Sequence, residues 1–296
     1  MPGELRLIIV SGLSGSGKSV ALHVLEDLGY YCIDNLPAGL LLAAVDEVRR
    51  YGGDSQQHLA VGLDARNRAE NLDALPDLLR ELREQNVTTD IIFLHASDEI
   101  LLKRYGESRR RHPLADKSTQ LRVAIASERA VLSDIQLLAD LIIDTSQSSI
   151  YELADIIRSR IDRRQSDSLS ILNESFGLKY GIPADADFVF DVRSLPNPYW
   201  TIKLRGHTGL DDEVQQFLDE QETFAEMFED ILRFLRRWVP HYESAKRGYL
   251  TVAIGCTGGQ HRSVYMTEKL AAALREHHEP ILTRHNSLPE HRLRPE

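Results

Sequence analysis

The stretch Leu5-Arg6-Leu7-Ile8-Ile9-Val10-Ser11-Gly12-Leu13-Ser14-Gly15-Ser16-Gly17-Lys18-Ser19-Val20-Ala21-Leu22 decides the reading of the first half of the chain. Its centre, Gly12–Ser19, fits G-x-x-x-x-G-K-[ST] at every fixed position, between the apolar run Leu5–Val10 and the helix-like segment Ser19–Leu28. Strand, glycine-rich loop and helix in that order make a phosphate cradle. Glycines let successive backbone N–H groups turn inward, Lys18 reaches the outer phosphates, and the Ser19 hydroxyl is placed to hold Mg²⁺. A nucleoside triphosphate is the expected ligand of Gly12, Leu13, Ser14, Gly15, Ser16, Gly17, Lys18 and Ser19.

Outward from this loop the pattern repeats. Short apolar or β-branched runs at Leu5–Val10, Tyr30–Ile33, Leu59–Leu63, Ile91–Leu94 and Leu141–Ile143 alternate with amphipathic stretches at Leu40–Arg50, Leu72–Arg83, Glu99–Arg110 and Leu121–Leu138. Strands separated by helical crossovers predict an α/β fold with a doubly wound parallel sheet, of the P-loop NTPase or kinase type. Ligands of such sheets sit at the carboxyl ends of strands. Asp34 and Asp64 fall at those ends. Asp64 reads as a carboxylate that holds Mg²⁺ directly or through water, with Arg66 and Asn67 as added donors; a helix N-cap at Asn67 is the structural alternative. Asp34, in Asp34-Asn35-Leu36-Pro37, reads either as a general base or metal ligand, or as a turn ahead of proline. The cations Lys103, Arg104, Arg109, Arg110 and Arg111, with His112-Pro113 and the polar Asp116–Gln120, read as a kinase-like lid or as a solvated basic helix end.

Composition bounds these readings. The 296 residues allow two domains with separate cores, and 42% hydrophobic with 27% charged content is that of a globular protein. No run approaches the roughly 18 apolar residues of a membrane span, and Met1–Arg6 lacks a secretory pattern, so a cytoplasmic protein without membrane contact is expected. The net charge of −10 confines any nucleic-acid contact to a local patch. The two cysteines, Cys32 and Cys256, form neither a disulfide framework nor a metal site by spacing.

At Arg158–Ser168 apolar periodicity stops, marking a linker between a domain over 1–162 and a smaller α/β domain over 169–296. In the latter, Ser170–Ser175, Asp187–Val192 and Leu250–Ile254 read as strands, and Asp212–Tyr242 as helical with a break before Pro240. The strand at Leu250 runs into Gly255-Cys256-Thr257-Gly258-Gly259-Gln260-His261-Arg262-Ser263, a C-x₅-R-S arrangement ahead of the helical Val264–Glu276. Five residues can loop so that N–H groups and the Arg262 fork surround one phosphate dianion. Cys256, Thr257, Gly258, Gly259, His261 and Arg262 are therefore expected to bind a phosphorylated metabolite. Phosphatase chemistry through a Cys256 thiolate and a purely structural turn are the alternatives. Lys179, Asp191, Arg193, Arg205, His207 and Thr208 are candidates to complete that pocket, and Tyr180, Tyr199, Trp200 and Tyr249 are base-stacking or core residues. Arg284-His285, His291-Arg292 and Arg294 form a weakly basic arm.

The motifs Gly12–Ser19, Tyr31-Cys32-Ile33-Asp34-Asn35-Leu36-Pro37, Asp64-Ala65-Arg66-Asn67, Arg109-Arg110-Arg111-His112-Pro113-Leu114, Phe190-Asp191-Val192-Arg193 and Gly255–Ser263 together resemble the RapZ family of bacterial P-loop nucleotide-binding proteins. The resemblance runs end to end. It implies binding of ATP and GTP with slow hydrolysis, Gly12–Ser19 being the ATP loop and Asp64, Ala65, Arg66 and Asn67 the GTP segment. It further implies an RNase adapter that presents a small regulatory RNA to an endoribonuclease and senses glucosamine-6-phosphate at Cys256–Arg262. A homo-oligomer is expected. A regulatory adapter with ATPase and GTPase activity, its catalytic residues Lys18, Asp34 and Asp64, is favoured over a small-molecule kinase with Asp34 as base and Arg109–Arg111 as lid, because a simple kinase has no need of a second phosphate loop.

Overall fold

Strand β1, Arg6–Gly12, buries six of its seven residues, as a central strand covered on both faces must. It carries the phosphate loop into helix α1, Lys18–Asp27. The computed structural model describes residues 5–51, 58–67, 72–108, 111–115, 119–162 and 169–288, and the chain divides into two compact units, Met1–Asp162 and Arg163–Glu296.

In the first unit β2 (Tyr31–Ile33), β3 (His58–Gly62), β4 (Thr88–His95) and β5 (Leu141–Asp144) join β1 in a five-stranded sheet of order β2-β3-β1-β4-β5. Every neighbouring pair is parallel, with Ile9 opposite Val61 on one side and Ile91 on the other. The crossovers are α1, α2 (Leu41–Tyr51), α3 (Leu75–Glu84), and the group α4 (Asp98–Ser108), α5 (Leu121–Val131) and α6 (Ser133–Leu138). Helix α7, Ile150–Asp162, packs against α1. Leu7 and Ile9 share one core with Leu41, Val45, Leu59, Val61, Leu75, Leu79 and Leu82, while Ile8 and Val10, on the alternate face, are equally buried. Each such side chain contributes about 1.5–3 kcal/mol by leaving water. The predicted single helix over Leu121–Leu138 is divided at Leu132, where the Ser133 hydroxyl bonds Ala130 O at 2.8 Å and competes with the helical ladder.

The second unit holds a four-stranded parallel sheet of order β7-β8-β6-β9, formed by β6 (Ser170–Gly177), β7 (Phe188–Asp191), β8 (Tyr249–Cys256) and β9 (Ile281–His285). Helices α8 (Asp212–Asp219), α9 (Glu222–Ser244) and α10 (Arg262–Arg275) supply the covering layer. Ile171, Val252 and Ile254 meet Phe224, Leu232, Leu235 and Val239 of α9 and Met266, Leu270 and Leu274 of α10.

Two expectations are corrected here. The helical break lies at Gln221, which is extended (φ −94°, ψ 116°), and not before Pro240, which sits inside α9. Proline forfeits one backbone bond, but burial of Leu235 and Val239 on that face outweighs it. Arg284 and His285 belong to no basic arm. They lie in β9, where Arg284 binds Glu174 and Asp185, and His285 bonds the Ser175 hydroxyl at 2.8 Å and Glu268 at 3.0 Å. His291, Arg292 and Arg294 lie outside the described residues. Among the described residues no helix is long and apolar enough to cross a membrane.

Candidate functional site

The phosphate loop is wound by glycines that no residue with a Cβ can replace without strain. Gly12 has φ +138° and a Cβ there would overlap Leu94 O; Gly17 has φ +110° and its Cβ would overlap Leu153 Cδ2. Not every N–H of the loop faces a ligand. Leu13 N–H donates to Leu94 O at 3.2 Å, Ser14 N–H to Glu128 at 2.9 Å, and Ser16 N–H back to Leu13 O at 2.9 Å. Leu13 is a core residue. Val20 and Ala21 N–H both bond Gly17 O, so the helix start leaves Lys18 and Ser19 N–H without intrahelical partners, at the positive end of the helix dipole. Lys18 Nζ donates to Gly12 O at 2.8 Å. Burial lowers its pKa from the ordinary lysine value, against the opposing pull of Glu128, Asp64 and Asp34.

Asp34 and Asp64 leave the neighbouring strands β2 and β3 side by side. Asp34 Oδ1 lies 2.6 Å from where a Cβ on Gly62 would stand, and its carboxylate is exposed. Asn35 takes φ +54°, so the turn and the exposed carboxylate coexist. Asp64 is buried and clasped by Arg66, whose N–H reaches Oδ1 at 2.9 Å and whose Nη2 reaches Oδ2 at 2.6 Å. Burial pushes the Asp64 carboxyl up, but the Arg66 side-chain and backbone bonds prevail, and its pKa falls below the ordinary value. Asn67 is a clamp, accepting Ala38 N–H at 2.7 Å and donating to Leu36 O at 3.3 Å; the helix its N-cap reading requires lies outside the described residues. The exposed Ser19 hydroxyl and the Asp34 and Asp64 carboxylates are hard oxygen donors, a set whose chemistry fits Mg²⁺.

The lid reading changes in part. Arg104 braces the loop, donating to Gly15 O at 2.9 Å and Thr145 O at 2.6 Å, while Thr145 Oγ1 donates to Ser16 O at 3.0 Å. His112 is buried and contacts Glu128 Oε2 at 3.1 Å. Arg109, Arg110 and Asp116 lie outside the described residues. Glu128 and Thr145 are absent from the sequence-based site. One signal for Glu128 exists: it falls on the apolar face of α5 with Leu121, Ala124 and Ile125, where a lone carboxylate needs buried donors.

The second loop has the same construction. Cys256 ends β8 and Arg262 opens α10; Gly259 N–H donates to Cys256 Sγ at 3.2 Å, and Ser263 Oγ lies 3.1 Å from it. Burial raises the thiol pKa, but the bonds from Ser263 and Gly259 and the Arg262 charge bring it below the ordinary value. Arg262 Nη1 donates to Arg193 O and Leu195 O at 2.8 and 2.9 Å, and its guanidinium also bonds Cys256. The buried His261 ring bonds the Leu204 and His207 backbone, and burial lowers its pKa against them. At the end of β7, Asp191 is clasped by Arg193 through N–H (2.9 Å) and Nη2 (2.7 Å), which repeats the Asp64–Arg66 turn. Strand β7 adjoins β8 as β3 adjoins β1. Each unit therefore presents a phosphate-type loop on one strand and an Asp-x-Arg turn on its neighbour.

Of the remaining candidates, Thr208 is spent on Asp211, His207 lies 3.6 Å from Glu213, and Arg205 covers the Tyr199 ring. Tyr249 is core. Tyr180, Tyr199 and Trp200 are exposed.

Sheet order, central phosphate loop and strand-end carboxylates define a P-loop protein with an appended α/β domain that carries a C-x₅-R-S loop between strand and helix. Sequence models of the RapZ-like N-terminal domain and the RapZ C-terminal domain match residues 5–165 and 169–289, and the chain belongs to the RapZ family. A nucleotide-binding protein of Hahella chejuensis is 48% identical over 286 residues, covering 97% of this chain and 100% of its own. One of Halorhodospira halophila is 50% identical over 284 residues, covering 96% and 99%. Among solved structures, shikimate kinase from Bacteroides thetaiotaomicron aligns with TM-score 0.36 at 14% identity, over 53% of this chain and 98% of its own.

Proposed function

We propose that this protein binds ATP or GTP with Mg²⁺ in its first unit and a phosphorylated metabolite in its second, acting as a slow ATPase and GTPase with a regulatory role. One observation carries this reading: two phosphate-type loops, each at a strand-to-helix junction beside an Asp-x-Arg turn, in separate units. In the first, Lys18 and the N–H groups of Lys18 and Ser19 would meet the phosphates, and Ser19 and Asp34 would hold the cation, with Asp64, both of whose oxygens accept from Arg66, adding its charge beside them. Asp64, Ala65, Arg66 and Asn67 form the GTP segment. The cation would neutralise phosphate charge. In the second, the buried Arg262 guanidinium at the start of α10 is a charged donor suited to an anion such as glucosamine-6-phosphate. Nucleotide state then biases an adapter that presents a small regulatory RNA to an endoribonuclease, as a homo-oligomer in the cytoplasm.

Calorimetry on the full chain tests the modular reading. Lys18→Ala abolishes ATP and GTP binding and leaves glucosamine-6-phosphate binding intact; Arg262→Ala does the reverse. Loss of both ligands in either folded variant overturns it. Crosslinking in cells followed by sequencing of bound RNA tests the adapter role, and an empty library removes it. A kinase with Asp34 as base is the competing reading, favoured by the exposed Asp34 carboxylate, and ATP-dependent phosphorylation of a small acceptor would establish it.

A further inference from the structure

Glu128 is a fully buried carboxylate with three donors around it. Ser14 gives both its N–H, to Oε2 at 2.9 Å, and its hydroxyl, to Oε1 at 2.6 Å. The third is His112 Nε2, at 3.1 Å from Oε2. The opposite ring nitrogen, Nδ1, accepts Leu114 N–H at 3.1 Å, so it bears no proton and Nε2 carries the hydrogen given to Glu128. The Tyr105 ring lies 5.3 Å from that of His112 and also lines Gly15, closing the contact from α4.

These bonds span the unit: Ser14 is in the phosphate loop, Glu128 on α5, and His112 in the segment between α4 and α5. By drawing Ser14 N–H away from the cradle, Glu128 sets the direction in which the loop turns before Gly15, Gly17 and Lys18. A buried carboxylate tolerates the loss of a donor poorly, so moving the His112 segment works directly on the loop. We propose that Glu128 is a positioning residue for nucleotide, holding the phosphate loop in its binding winding and tying that winding to the placement of residues 111–115. This rests on the nucleotide reading of Gly12–Ser19. Among the carboxylates acting on Lys18, Glu128 has the largest effect, in keeping with its place beneath the loop.

The test is ATP affinity of the full chain by calorimetry, with folding checked by circular dichroism and urea midpoint. Glu128→Gln keeps one acceptor for Ser14 N–H and His112 Nε2–H, reverses the bond with the Ser14 hydroxyl and removes the charge from all three, and so weakens ATP binding by about tenfold or more, the effect of losing charge-assisted hydrogen bonds. His112→Leu gives a similar loss. His112→Gln, which keeps a donor for Glu128 and an acceptor for Leu114 N–H, restores affinity to within about twofold of the wild type, a rescue that hydrophobic packing alone would not produce. Folded Glu128→Gln with wild-type affinity, or His112→Gln and His112→Leu with equal affinities, overturns the proposal. If Glu128→Gln fails to fold, the His112 pair decides. A wild type that binds ATP no better than Lys18→Ala overturns the nucleotide reading, and this proposal with it.

Discussion

Gly17→Ala, read against Leu153→Ala, tests how the phosphate loop is built. Gly17 stands at φ +110°, ψ 15°, outside the regions open to residues with a Cβ, and forcing alanine there costs about 1–3 kcal/mol. The new methyl would overlap Cδ2 of Leu153, a side chain of α7 that is 3% exposed, and overpacking adds about 1–3 kcal/mol. The single substitution should therefore destabilise the first unit by about 2–6 kcal/mol in urea unfolding. Leu153→Ala alone costs about 2–5 kcal/mol through the cavity it leaves. In the double variant the methyl enters that cavity, so the two costs fall short of additivity by the overpacking term, about 1–3 kcal/mol, while the dihedral strain persists. Additivity to within about 0.5 kcal/mol would refute the steric argument, and a Gly17→Ala cost below about 1 kcal/mol would refute the strain argument.

Asn67→Ala strips Ala38 N–H of its acceptor and should cost about 1–3 kcal/mol in urea unfolding, with Asn67→Asp, which keeps an acceptor, recovering part of it. Arg284→Ala leaves Glu174 and Asp185 without their buried cation, a loss of about 3–5 kcal/mol, and adding Glu174→Gln should return part of it. The two thiols should titrate on opposite sides of 9.0 when thiolate absorbance is followed in Cys256→Ser and Cys32→Ser variants. Cys256 titrates below that value, while burial and then Glu26 push Cys32 up to about 11. Because the folded Cys256 pKa lies under the unfolded one, its stabilising contribution is complete above 9.0 and is lost as pH falls through the folded value; a Cys256→Ser variant with an unchanged pH profile of stability would refute the assignment.

What could be read along the chain was local. β1, Gly12–Ser19 and α1 are contiguous, and their signals, an apolar run, spaced glycines and a lysine at the helix start, need no distant residue. The alternation of strands and helices was legible for the same reason, since parallel strands buried on both faces declare themselves by apolar runs. Strand β9 was hidden because Arg284 and His285 read as solvent-facing, and their partners Glu174 and Ser175 stand 110 residues away. Pro240 was misleading because helix propensity is a weak local term beside the burial of Leu235 and Val239.

By itself the sequence determined the P-loop class, the C-x₅-R-S spacing of the second loop and the family, all of which are written in short contiguous motifs. Only the tertiary structure decided which loop N–H groups remain for a ligand. It decided that Arg104 braces the loop instead of capping it, and that Glu128 grips Ser14 from 114 positions away. The physical reason is that a hydrogen bond is specified by distance and direction in space, and buried donors and acceptors are satisfied by whatever the fold brings to them.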